Sequence, residues 1–155
     1  MDPKNINVLY VDDEVNNIIS FKAAFRRDFN VYTAENAAVA RQILDENPQI
    51  QIIISDQRMP NMTGIEFFES IIPIYPETIR ILITGYSDVK AVVDAINLGQ
   101  VYKYLSKPWV EAEVRNFVHK AYELFELRRE NKALTDKLLE VNKKLEFLAR
   151  QNLLS

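Results

Sequence analysis

Apolar residues gather along the chain in five short runs, Ile6–Val11, Val31–Ala34, Ile50–Ser55, Arg80–Thr84 and Val101–Ser106. The segments between them, Asn16–Arg27, Asn36–Glu46, Gly64–Ile74 and Asp88–Leu98, repeat apolar positions three and four residues apart, the spacing of a helix with one buried face. In the second of these, Ala37, Ala40, Ile43 and Leu44 share a face. Asn36 and Asp88 stand where a side-chain oxygen can cap a helix N-terminus. Gly99 is placed to end the fourth helix, and Pro73 and Pro76 to close the third. The first, third and fourth runs are nearly continuous in Val, Leu and Ile, the pattern of strands covered on both faces. Strand and helix alternating in this way predict an α/β domain, a doubly wound parallel sheet of five strands.

Beyond the fifth run the pattern changes. No Pro or Gly interrupts Val110 to Arg150. Val114, Phe117, Val118 and Ala121 should cover the sheet. A heptad seam follows, with Leu124, Asn131, Leu138 and Leu145 at a, and Leu127, Leu134, Val141 and Leu148 at d. Asn131 at an a position costs stability but favours an in-register, parallel two-stranded coil, so a parallel homodimer is expected. Flanking charges add little: Glu123 at g can meet Arg128 at e of a second copy, but Glu130 faces Thr135 and Lys137 faces Asn142. The alternative, a stripe folded onto the chain's own domain, requires a helix that does not outrun a small domain's surface. The expected division is therefore residues 1–122 as the α/β domain and 123–155 as an extended C-terminal coiled-coil helix.

Composition narrows the function classes. Hydrophobic residues make up 48% of the chain, enough for a core. A net charge of −3 argues against a nucleic-acid-binding role. With no cysteine, disulfides and thiolate metal sites are excluded, and a cytoplasmic location is expected. The N-terminus reaches the charged Asp12 after one short apolar run, unlike a signal peptide, and no run approaches the ~20 apolar residues of a membrane span.

Chemistry is sought at the carboxyl ends of the strands, where open α/β sheets bind ligands. Strand one ends in Asp12-Asp13-Glu14, strand three in Ser55-Asp56, strand four in Thr84-Gly85 and strand five in Ser106-Lys107-Pro108. Each cluster alone reads as an ordinary turn or cap. Together, on one edge, they bring carboxylates close enough to repel, a penalty that a hard divalent cation with oxygen ligands removes. Lys107 adds a positive charge for a phosphate and Thr84 a hydroxyl donor. An aspartate nucleophile, a metal and an electrophilic clamp are the parts for phosphoryl transfer to a carboxylate.

From about residue 5 to residue 122 the chain resembles the receiver domain of two-component response regulators. The resemblance is carried by LYVDDE at 9–14, SDQRMPNMTG at 55–64, ITGYSD at 83–88 and YKYLSKPW at 102–109. It implies a flavodoxin-like fold with strand order 2-1-3-4-5. It implies Asp56 as the phosphoacceptor and Mg2+ held by Asp13 and Asp56, by Asp12 partly through water, and by the backbone carbonyl of Arg58. Thr84 and Lys107 would bind the phosphoryl group, Tyr104 would change its exposure on activation, and the Lys107–Pro108 bond would be cis. The implied partner is a sensor histidine kinase or phosphotransfer protein. Gly85 stands where a small residue, often alanine, follows the threonine. Arg58 and Tyr86, two residues beyond Asp56 and Thr84, either shield the acyl phosphate from water or point to solvent.

His119, the single histidine, falls within the domain's last helix and reads as a surface or packing residue. Two other function classes compete. An aspartyl-nucleophile Mg2+ phosphatase usually carries a second acid two residues after the nucleophile, where Arg58 stands. A structural dimerisation module with an inert receiver would lack one of Asp56, Asp13, Thr84 or Lys107. The expected function is a switch without a turnover reaction on a separate substrate, passing its state through the last helix to a dimeric coil and an output.

Overall fold

The computed structural model describes residues 5–85 and 88–154. Its elements alternate: β1 (Asn7–Val11), α1 (Val15–Phe25), β2 (Asn30–Ala34), α2 (Ala37–Glu46), β3 (Ile52–Asp56), α3 (Gly64–Ile71), β4 (Ile79–Thr84), α4 (Val89–Asn97), β5 (Lys103–Ser106) and α5 (Glu111–Leu154). All strand pairs are parallel and the sheet order is β2-β1-β3-β4-β5. The fold is thus the doubly wound, flavodoxin-like one expected. The order reverses between β1 and β3, and the crevice at their carboxyl ends is where this fold binds ligands.

Strand parity divides the core in two. Val8, Tyr10, Ile52, Ile54, Ile81, Ile83 and Leu105 point to one face, where Phe21 and Phe25 of α1 and Val114, Val118 and Ala121 of α5 cover them. Leu9, Val11, Ile53 and Leu82 point to the other, against Ala40 and Leu44 of α2, Phe67, Phe68 and Ile71 of α3, and Val92 and Ala95 of α4. Every residue of β3 and β4 is buried, which explains their predominantly apolar sequences.

Local chemistry sets the boundaries. The Asn36 side chain accepts from Val39 N at 2.9 Å, capping α2 as expected. Asp88 occupies the N-cap position of α4 without a side-chain cap bond. That expectation fails because its carboxylate is engaged by Arg58 Nε at 3.3 Å. Thr63 and Glu66 form a reciprocal capping box at the start of α3. Gly99 follows α4 with φ of 75°, the left-handed conformation that glycine adopts without penalty. The buried Arg80 of β4 donates to the carbonyls of Thr78 and Gln100, both at 2.8 Å, and of Gly99, tying the α4–β5 turn to the sheet.

By internal contacts the chain forms two units, Met1–Phe125 and Glu126–Ser155. The second is the continuation of α5, with Glu126 half-buried and residues 127–154 exposed. No helix among the described residues is long and apolar enough to cross a membrane.

Candidate functional site

β1 and β3 are neighbours in register, Val11 opposite Ser55, so the residues that follow them emerge side by side. One carboxylate oxygen each from Asp12, Asp13 and Asp56 lies within 4.8 Å of the others. Asp12 and Asp56 are buried, at 1% and 2% exposure, while Asp13 is exposed. Such a cluster is a poor place for unbalanced negative charge, and its all-oxygen donors with one side open to solvent suit a hard divalent cation such as Mg2+.

Asp56 is held from two sides. Its Oδ2 accepts from Lys107 Nζ at 2.8 Å, and its Oδ1 from the backbone N–H of Arg58 at 3.3 Å. Burial pushes the Asp56 carboxyl above the usual carboxylate range, and Asp12 adds to this; the Lys107 ammonium and the Arg58 N–H oppose it. Lys107 reaches the site because β5 ends opposite Thr84 and the backbone N–H of Lys107 donates to the Thr84 carbonyl at 3.1 Å. The Lys107–Pro108 peptide is cis. Asp12 Oδ2 accepts from the Tyr10 hydroxyl at 2.7 Å and from Asn17 Nδ2 at 3.0 Å; its Oδ1 accepts from Glu14 N at 3.0 Å.

Thr84 is buried, and its hydroxyl donates to the Gly85 carbonyl at 3.1 Å. Tyr104 is 41% exposed. It pairs in register with Leu82, two residues before Thr84, so Thr84 and Tyr104 lie on the same face of the sheet as diagonal neighbours. The Arg58 side chain is largely exposed and paired with Asp88, bridging the β3–α3 loop to α4. Tyr86 lies outside the described residues. His119 sits half-buried with its ring 5.7 Å from that of Phe29, a packing position.

Of the heptad positions, Leu124 is half-buried against the core shared by α1 and α5. Leu127, Leu134, Leu138, Val141, Leu145 and Leu148 are all between 43% and 64% exposed, and Asn131 is exposed with them.

Three features of the site were not read from the sequence. Tyr10 and Asn17 fix Asp12; strand alternation alone puts Tyr10 on the same side as Asp12, a signal that was there to use. Gln57 Oε1 accepts from Ile65 N at 3.0 Å, seating α3 beside Asp56. Gly64 approaches β3 so closely that a Cβ would lie 2.6 Å from the Asp56 carbonyl oxygen.

Residues 8–119 match the response regulator receiver domain family. The chain belongs to that family. The receiver is 36% identical over 123 residues to the hydrogenase transcriptional regulatory protein HoxA of Cupriavidus necator, covering 79% of this chain and 25% of that protein. It is 34% identical over 140 residues to a putative NtrX-like response regulator of Rickettsia bellii, covering 87% of this chain and 28% of that one. It thus spans about a quarter of the length of these curated relatives. Among solved structures, a response regulator receiver domain protein from Clostridium thermocellum superposes with a TM-score of 0.75 at 27% identity, over 79% of this chain and 98% of that one.

Proposed function

We propose that Asp56 accepts a phosphoryl group from a sensor histidine kinase or phosphotransfer protein, and that α5 passes the change to a parallel coiled-coil dimer and an output beyond it. In this reading residues 1–122 are the switch and 123–155 the coil. The observation that carries it is the buried Asp56 carboxylate, paired with Lys107 at 2.8 Å and bordered by Asp12 and Asp13.

Burial raises the Asp56 carboxyl, and the Lys107 ammonium opposes this by favouring the ionised form, which is the nucleophile the reaction needs. One Asp56 oxygen attacks phosphorus, the phosphorus–nitrogen bond to the donor histidine breaks with its electron pair left on the imidazole, and an acyl phosphate remains. Asp13, Asp56 and the Arg58 carbonyl would hold Mg2+, with Asp12 contributing through water; bound there, the ion neutralises the charge of the phosphoryl oxygens. Lys107 then pairs with a phosphoryl oxygen. The Thr84 hydroxyl turns from the Gly85 carbonyl to donate to another, and Tyr104, diagonal to it on the same face, moves into the space vacated. This is a population shift between two states, with a coupling of ~1–3 kcal/mol typical of such devices.

Incubation of the full chain with a small-molecule phosphodonor and Mg2+ tests the reading. Intact-mass measurement should find one added phosphoryl group, lost in Asp56→Asn and prevented by excess chelator. Stable phosphorylation of the Asn variant, or transfer that continues unchanged in chelator, would contradict it.

A further inference from the structure

We infer that Tyr10 is a positioning residue for metal loading: its hydroxyl fixes Asp12 so that this carboxylate presents one defined oxygen to the acidic cluster. The inference rests on the proposed Mg2+ role and deepens it.

The geometry is specific. Tyr10 is fully buried, yet its one polar atom ends 2.7 Å from Asp12 Oδ2, the length of a charge-assisted O–H···O bond. The ring cannot swing away. It is stacked on Phe21 with centroids 4.1 Å apart and planes 6° from parallel. Phe21 in turn meets Trp109 edge-on at 5.8 Å, and Trp109 follows Lys107 and Pro108 in sequence. One aromatic stack thus runs from the residue that holds Asp12 to the loop that carries the lysine on Asp56. A cleft lined by Tyr10, Asp12, Asn17, Ser20, Lys107 and Trp109 opens on this side of the cluster.

A carboxylate has about four lone-pair directions. On Asp12, Oδ2 spends two, on Tyr10 and Asn17, while Oδ1 spends one, on the Glu14 N–H. Oδ1 is therefore the oxygen left with a direction for a metal or for a metal-bound water. This fits a supporting role for Asp12, with direct ligation left to Asp13 and Asp56. A phenylalanine in place of Tyr10 keeps the stack and removes the hydroxyl, with its bond to Asp12 and its contact with Trp109. Asp12 then loses its shortest bond and keeps only those from Asn17 and Glu14, so its buried carboxylate is held less firmly and the cluster loads metal less well. Loss of a partner that orients a metal ligand typically weakens metal affinity about 10- to 100-fold.

The test is a Mg2+ titration of the full chain and of Tyr10→Phe. It is followed by the fluorescence of Trp109, the single tryptophan, and by calorimetry, with phosphorylation rates measured across the same Mg2+ range. The expected result is a Mg2+ Kd raised about 10-fold or more, with the phosphorylation rate recovering to the wild-type value once Mg2+ saturates. A purely structural role would lower the melting temperature and leave the Kd where it was, and an unchanged Kd in folded Tyr10→Phe overturns the inference. Asn17→Ala, on the partly exposed side of α1, removes the second donor to the same oxygen and should raise the Kd in the same direction. If Tyr10→Phe does not fold, an unchanged Kd in Asn17→Ala overturns the inference instead. A wild-type chain that binds no Mg2+ defeats the proposed function itself, a result distinct from wild-type and variant binding equally well.

Discussion

Replacing Gly64 with alanine sets two opposed effects against each other at the site. In an exposed helix, Gly→Ala is stabilising by up to ~1 kcal/mol, through lost chain entropy in the unfolded state. Gly64 opens α3 with a φ outside the left-handed region, so no backbone strain opposes the change. Space does. The added Cβ would lie 2.6 Å from the Asp56 carbonyl oxygen and 2.7 Å from Leu82 Cδ1. The leucine tip can rotate, but the carbonyl belongs to a fully buried central strand. Relief must come from lifting the start of α3, which stretches Gly64 N to Gln57 O and Ile65 N to Gln57 Oε1, both 3.0 Å. Overpacking costs about 1–3 kcal/mol, and a weakened hydrogen bond about 0.5–1.5 kcal/mol more. After the helix gain, a net loss of about 0.5–3.5 kcal/mol is expected, or roughly 2–14 °C in Tm for a domain of this size. Urea denaturation of both chains at equal protein concentration measures it, and the phosphorylation rate should fall with it, because the carbonyl crowded by the new methyl is that of Asp56 itself. A Gly64→Ala chain as stable as the wild type, or more so, would refute the claim that close approach demands glycine here.

Three further outcomes are expected. Burial raises the Asp56 carboxyl, so its contribution to folding is fully present below its unfolded value and lost as pH rises through the higher folded one; in metal-free buffer, stability should decline across that window in the wild type but not in Asp56→Asn. Added Mg2+ should then raise the wild-type Tm and not that of the variant, and equal responses in thermal melts would count against the acidic cluster as the binding site. Sedimentation should find a concentration-dependent dimer, absent when the chain is cut near Leu124 and tightened, with looser choice of oligomer state, in Asn131→Leu. A full chain that stays monomeric at tens of micromolar (roughly the range in which a marginal coil should pair) would exclude the coil.

The fold was legible because its signals are regional. Nearly continuous Val, Leu and Ile in β1, β3 and β4 mark strands buried on both faces, and the acidic, hydroxyl and lysine residues that end β1, β3, β4 and β5 had to share an edge. What escaped depends on what a side chain or a missing one meets in three dimensions. Asp88 has the right chemistry and position for a cap, but Arg58, thirty residues earlier in the chain, takes its carboxylate. Arg80 looks like the first residue of an apolar run and is in fact a buried anchor for the turn after α4. Gly64 resembles any glycine before a helix until the distance to Asp56 is known. Strand bounds moved by one or two residues for the same reason: Ile50 and Val101 are buried but lie before the ladder begins.

The last helix shows the limit of pattern most clearly, and suggests where a switch can act. The α5 residues buried in the receiver, Val114, Val118 and Ala121, step by four and then three. A continued alternation would next reach Phe125, but the seam takes up at Leu124 and Leu127, two further steps of three. Such a phase step locally overwinds a coil and turns its apolar stripe to a different side of the helix. Leu124 lies within this step, half-buried against the core of α1 and α5 while standing at the first a position. On the proposed reading, a small re-seating of Phe117 or Leu124 on that core would enter the coil as a rotation of its seam. Packed side chains settle into discrete arrangements rather than deforming smoothly, so the seam would turn between defined settings, which is how a local change of charge at Asp56 could become a choice between two dimers.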